Sequence, residues 1–150
     1  MRGLRKCTLT GWPAAGYTQV MKVFLSYADS ERELARELAQ RLAGAGIRVW
    51  WDDAEISAGE NWAEAIQRAL QEADALVVLL SPDAVRSRWV RREVDYALGT
   101  PRFAHRIVPV QVKPTPDAPW FLRSLRSVRA TRDLDQVARE IVGALAPNEN

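Results

Sequence analysis

The stretch Ala75–Leu98, ALVVLLSPDAVRSRWVRREVDYAL, decides the fold in its first six residues. ALVVLL is a run of strand length with no polar position, the pattern of a strand buried on both faces of a parallel sheet. Ser81 and Pro82 follow as a cap and first-turn signal, opening a helix that carries Trp89 and Glu93. Four residues separate the ring from the carboxylate, so the two share a helix face.

The same alternation recurs on either side. KVFLSY, from Lys22, is a short apolar and aromatic strand. DSERELARELAQRLAGAG follows, with Leu34, Leu38 and Leu42 four apart on one helical stripe. Ser30 with Glu33 reads as a capping box, and Gly44 and Gly46 stop the helix. IRVWW is a second strand that leads into the loop DDAEISAGE. Its two tryptophans, Trp50 and Trp51, point to opposite faces. Asn61 with Glu64 then caps the helix NWAEAIQRALQEA. RIVPVQV is a fourth strand, and Pro109 puts it near a sheet edge or a bend. After the proline-rich KPTPDAPW, SVRA is a weak fifth strand. DLDQVAREIVGAL closes the chain as a helix with Val137, Ile141 and Leu145 on one stripe. Strands and helices in strict alternation predict an α/β, flavodoxin-like, doubly wound five-stranded parallel sheet of order 2-1-3-4-5.

The chain has 150 residues, enough for one domain with a sizeable core. Hydrophobic residues make up 47% and charged residues 27%, which separates it from disordered sequences. A formal net charge of +2 is too small to argue for nucleic acid. One cysteine, Cys7, leaves no disulfide framework and fits a reducing cytoplasm; one histidine, His105, leaves no histidine metal cluster. No apolar run reaches the ~18–20 residues of a membrane span. Residues 1–20 begin basic but lack an apolar signal core, so a disordered extension is expected there. The domain is expected over residues 21–147, with 148–150 as a tail.

In such a sheet, ligands bind beyond the carboxyl ends of the strands at the switch point. Ser26 to Asp29, Asp52 to Glu60 and the residues from Ser81 onward surround that crevice, and Trp89 and Glu93 can lean into it. No GxGxxG follows the first strand and no phosphate-loop lysine is present, so neither a Rossmann dinucleotide grip nor a phosphate-loop ATPase is supported. The ends FLSYAD and VVLLSP lack the paired acids and phosphoacceptor of a receiver domain. Ser26 and Ser81 have no histidine partner at a workable spacing.

What remains is Glu93 beside an aromatic. On residues alone, Glu93 is either an exposed helix acid among Arg86, Arg88, Arg91 and Arg92 or the carboxylate of a site. A lone carboxylate suffices to cleave an N-glycoside whose leaving group is already cationic. Ordinary glycosidases need two because their departing oxygen must be protonated. Nicotinamide on the ribose of NAD is such a leaving group. Trp89 stacked on the pyridinium would add about 0.5–2 kcal/mol.

KVFLSYADSE, IRVWWDDAEISAGENW, ALVVLLSPDAVRSRWVRREVDYAL and RIVPVQV together resemble the successive boxes of a bacterial Toll/interleukin-1 receptor (TIR) domain, over roughly Met21 to Pro147. The resemblance implies a single TIR domain in which DDAEISAGEN is the BB loop. It implies that the protein cleaves NAD+ to nicotinamide and ADP-ribose or a cyclic ADP-ribose isomer, with NAD+ as substrate and no cofactor or metal. In the family's W-x-x-x-E helix the matching residues are Trp89, against the substrate, and Glu93, catalytic. The resemblance further implies substrate contacts from Ser26, Tyr27, Asp29, Asp52 and Gly59. The family often carries a basic residue where this chain has Ala28. Self-association, a role in antiviral defence and a downstream effector sensing a cyclic nucleotide product are expected on the same ground. The alternative is a non-catalytic adaptor that binds other TIR domains through the BB loop.

Overall fold

A computed structural model of the chain describes residues 3–7, 21–53 and 62–145. Its sheet has six strands: β1 (Gly3–Cys7), β2 (Lys22–Ser26), β3 (Arg48–Asp53), β4 (Ala75–Leu80), β5 (Ile107–Gln111) and β6 (Val128–Arg129). They lie in the order β1-β3-β2-β4-β5-β6. From β3 onward every pairing is parallel, which is the order 2-1-3-4-5 read from the sequence. The addition is β1, which pairs antiparallel with β3 from Gly3↔Asp53 to Cys7↔Val49. Gly3–Cys7 therefore belongs to the sheet rather than to a disordered extension. Its sequence, GLRKC, concealed this, because Arg5 and Lys6 are residues an edge strand tolerates as readily as a loop does.

Side chains alternate across β4. Ala75, Val77 and Leu79 join one core cluster, and Leu76, Val78 and Leu80 the other. All six are buried, as the apolar run requires. The first cluster lies under α1 (Arg32–Gly44) and α6 (Leu134–Leu145). α1 buries Ala35, Leu38, Ala39, Leu42 and Ala43, and α6 buries Val137, Ile141 and Leu145 as its stripe requires. The second cluster lies under α2 (Trp62–Glu72), α3 (Pro82–Arg86), α4 (Arg88–Leu98) and the single turn α5 (Trp120–Arg123).

α1 ends in a Schellman motif. The Ile47 N–H donates to Leu42 O and the Gly46 N–H to Ala43 O, with Gly46 at φ 91°. At its other end the expected capping box is absent. Arg32 follows a 3-10 turn, Asp29–Glu31, and Glu33 pairs with Arg36 instead. Pro109 sits where only β4 needs a ladder, because β6 begins pairing at Val110. No helix among the described residues is long and apolar enough to cross a membrane.

Candidate functional site

The site grows from the carboxyl end of β2. Alternation sends Val23 and Leu25 to the α1/α6 face and Phe24 to the α2/α4 face. Ser26 lies opposite Val78 in the β2–β4 ladder, so it shares the α4 face with that residue. Its side chain is fully buried, and its hydroxyl has no hydrogen-bond partner among the described residues. Burying a hydroxyl in that state costs about 1–3 kcal/mol, a burden that a packing role does not explain. Ala28, buried on the same face, stands where the family's basic residue often does.

The second half comes from α4. Ser81 caps α3, its Oγ accepting from the Ala84 N–H at 3.1 Å. The single helix expected from Ser81 onward breaks at Ser87, whose extended backbone ends α3. The Ser87 Oγ caps α4 by accepting from the Val90 N–H at 3.3 Å. Among the described side chains of α4 the buried ones are Val90, Glu93, Val94 and Ala97, spaced i, i+3, i+4 and i+7. Glu93 occupies the apolar stripe against the sheet and is 1% exposed. Arg86, Arg88, Arg91 and Arg92 are all exposed. The reading of Glu93 as a solvated acid among arginines is thereby overturned. A carboxylate in such a stripe is costly to desolvate, so its place needs a reason other than stability.

Ser26 and Glu93 are thus buried on one face of the sheet. Tyr27 is not with them. It points to the α1/α6 face, 1% exposed, with its ring centroid 6.3 Å from that of Trp51. Trp50 takes the opposite face, as alternation requires. Asp29 is exposed in the 3-10 turn. Asp52 lies within β3, paired with Leu4 of β1, rather than in the following loop. Gly59 and the Trp89 side chain lie outside the described residues, though Trp89 is in the first turn of α4, four residues before Glu93. Among the described residues no group of three or more metal-ligating side chains forms.

One cluster went unread in the sequence. The Ser30 hydroxyl lies 2.6 Å from Glu31 Oε2 and 2.7 Å from Asp83 Oδ2. It has one proton, so two carboxylates share a single donor across the gap between the β2 turn and α3. The Ser30 contact, aided by Arg86 and Lys113, holds the Asp83 carboxyl below its usual range against a smaller opposing effect of desolvation. Glu31 is buried, 5% exposed. The spacing of Ser30 and Glu33 masked this, because a local cap and a long-range tie use the same hydroxyl. On the other flank of α4, a cleft of about 740 Å³ is lined by Arg91, Asp95 and Phe121, and neither Ser26 nor Glu93 borders it.

A doubly wound parallel sheet with helices on both faces and a carboxylate buried in one of them defines an α/β domain of the flavodoxin-like class. A family model of the TIR domain matches residues 23–142, and the chain belongs to that family. It is 28% identical over 102 residues to the 2' cyclic ADP-D-ribose synthase BtTIR of Bacteroides thetaiotaomicron, covering 67% of this chain and 36% of that protein. It is 34% identical over 74 residues to the NAD(+) hydrolase TcpA of Theionarchaea archaeon (strain DG-70-1), covering 49% of this chain and 22% of that one. The chain thus spans about a third or less of the length of these curated relatives. In fold it is similar to the TIR domains of the activated Roq1 resistosome, with a TM-score of 0.59 and 22% identity over 84% of this chain and 99% of that one.

Proposed function

We propose that this TIR domain cleaves the nicotinamide–ribose bond of NAD+, releasing nicotinamide and ADP-ribose or a cyclic isomer. The observation that carries the reading is Glu93, a carboxylate buried in the sheet-facing stripe of α4 on the same face as Ser26. Two relatives are named for NAD+ hydrolysis and cyclic ADP-ribose synthesis, which supports the same chemistry.

In the proposed reaction the ribose C1′–N bond breaks and nicotinamide leaves as a neutral base with the bonding electron pair. Positive charge develops at C1′ and the ring oxygen. The Glu93 carboxylate stabilises that charge and needs no partner acid, because the leaving group takes no proton. Water then adds at C1′ and loses a proton, giving ADP-ribose. A hydroxyl or ring nitrogen of the same molecule adds instead when the product is cyclic. Ser26 supplies a hydroxyl for the substrate, and Trp89 a ring for the pyridinium. The domain works in self-association with further copies, as the family resemblance implies.

The test is nicotinamide release from NAD+ by the wild-type protein and Glu93→Gln, at rising protein concentration and with products separated. Gln keeps the shape and loses the charge, and a melting curve checks that the variant folds. Release should fall at least about 100-fold in the variant. Specific activity of the wild type should rise with concentration. A folded wild type that is silent at every concentration gives way to the adaptor reading. Equal release from both proteins removes Glu93 from the chemistry.

A further inference from the structure

At the amino ends of the strands, away from the crevice, lies a cavity of about 330 Å³ between the turn before β5, the segment before β6 and the end of α6. Its polar lining is His105, Arg106, Ser124 and Arg126, and among the described residues no acidic side chain borders it. Among the described residues, neither Arg106 nor Arg126 has an ion pair, whereas Arg36, Arg41 and Arg86 are paired with acids. The Ser124 hydroxyl donates to Phe121 O at 2.9 Å, which leaves its lone pairs to accept from a ligand. The remaining walls are apolar, with Leu125 and Ala144 facing the space.

The turn that presents the imidazole has an unusual residue. The Arg106 N–H donates to Phe103 O at 2.9 Å, Ala104 has φ −56° and ψ 127°, and His105 has φ 63°. That is a type II turn, whose third position favours glycine or asparagine. His105 is the one non-glycine residue with positive φ among those described.

We propose that this cavity binds the phosphate monoester of a sugar phosphate or mononucleotide. Two guanidinium forks and an imidazole match a phosphate dianion better than a single carboxylate, since each fork can give two parallel hydrogen bonds. Ser124 accepts from a sugar hydroxyl, and the apolar wall covers the sugar or base. The volume sits at the small end of the range for ligand pockets, about 300–1,000 Å³, and so fits one nucleotide rather than a dinucleotide. None of its lining residues belongs to the proposed NAD+ site, so the inference stands independently of NAD+ cleavage.

Because the chain has one histidine, its imidazole resonances report on this cavity alone. The experiment titrates the full chain with ribose 5-phosphate, AMP, inorganic phosphate and acetate while following those resonances by NMR. The wild type, Arg126→Ala and the control Arg68→Ala are compared. Arg126 and Arg68 are both exposed, so neither change disturbs the core. The proposal expects saturable shifts with ribose 5-phosphate and AMP, at least tenfold weaker binding in Arg126→Ala and no change in Arg68→Ala. Equal affinity for these two ligands assigns recognition to the sugar phosphate; tighter AMP binding adds the base. Four results overturn it: no saturable shift, the same shift with acetate, undiminished binding in Arg126→Ala, or inorganic phosphate binding as tightly as the sugar phosphates.

Discussion

Replacing Ser26 by alanine should make the protein more stable and less active. The Ser26 side chain is fully buried beside Val78, and its hydroxyl has no partner among the described residues. An unpartnered buried hydroxyl costs about 1–3 kcal/mol. Alanine removes that cost and loses one atom's dispersion contacts, worth ~0.1–0.2 kcal/mol each. With a handful of such contacts, the balance is a gain of about 1 kcal/mol. For a domain of this size that raises Tm by about 2–4 °C, readable by calorimetry. If the hydroxyl meets the substrate, nicotinamide release should fall about 3–10-fold, the worth of one neutral hydrogen bond. A lower Tm would refute the reasoning at its root, because it would mean that the hydroxyl has a structural partner. A higher Tm with unchanged release would leave the stability account standing and remove Ser26 from the substrate.

Two further outcomes are expected. Ser30→Ala removes the largest cause of the lowered Asp83 value, so by NMR that carboxyl should titrate closer to its ordinary 3.8. A carboxyl depressed in the folded state stabilises above its ordinary value and loses that contribution as pH falls through its folded one. The stability gap between wild type and Ser30→Ala should therefore close as the pH drops below about 4. Ile141→Ala, at a fully buried position in the α6 stripe, should cost about 2–5 kcal/mol in urea unfolding and lower the midpoint with little change in slope.

Sequence patterns reached the parts of this molecule in which one residue's environment is set by its near neighbours. The apolar run of β4, the stripe of α6 and the glycine stop of α1 are of that kind, and each stands as read. The errors fall where a distant segment competes. Ser30 leaves its local cap for Asp83, 53 positions away. The break at Ser87 is the local exception, made by a cap from its own hydroxyl to the Val90 N–H three residues on. The strand Gly3–Cys7 exists through its pairing with β3, which nothing within five residues announces. Asp52 is held in β3 by that same pairing.

Glu93 is the instructive case, since both readings were available from the same residues. Counting arginines around it suggests a surface acid; counting apolar residues suggests the opposite. Val90, Val94 and Ala97 sit three before, one after and four after it, so any helix that buries those three must bury Glu93 as well. Arg91 and Arg92, which lie between them in sequence, fall on the exposed side of the helix. Ser26 follows the same logic on β2, where alternation with Phe24 commits it to the α4 face. A fold selected for stability alone would place aliphatic side chains at both positions. Two polar side chains, drawn from different elements and buried on one face, are what the proposed reaction centre would require: groups held in place before the substrate arrives, at the expense of the core around them.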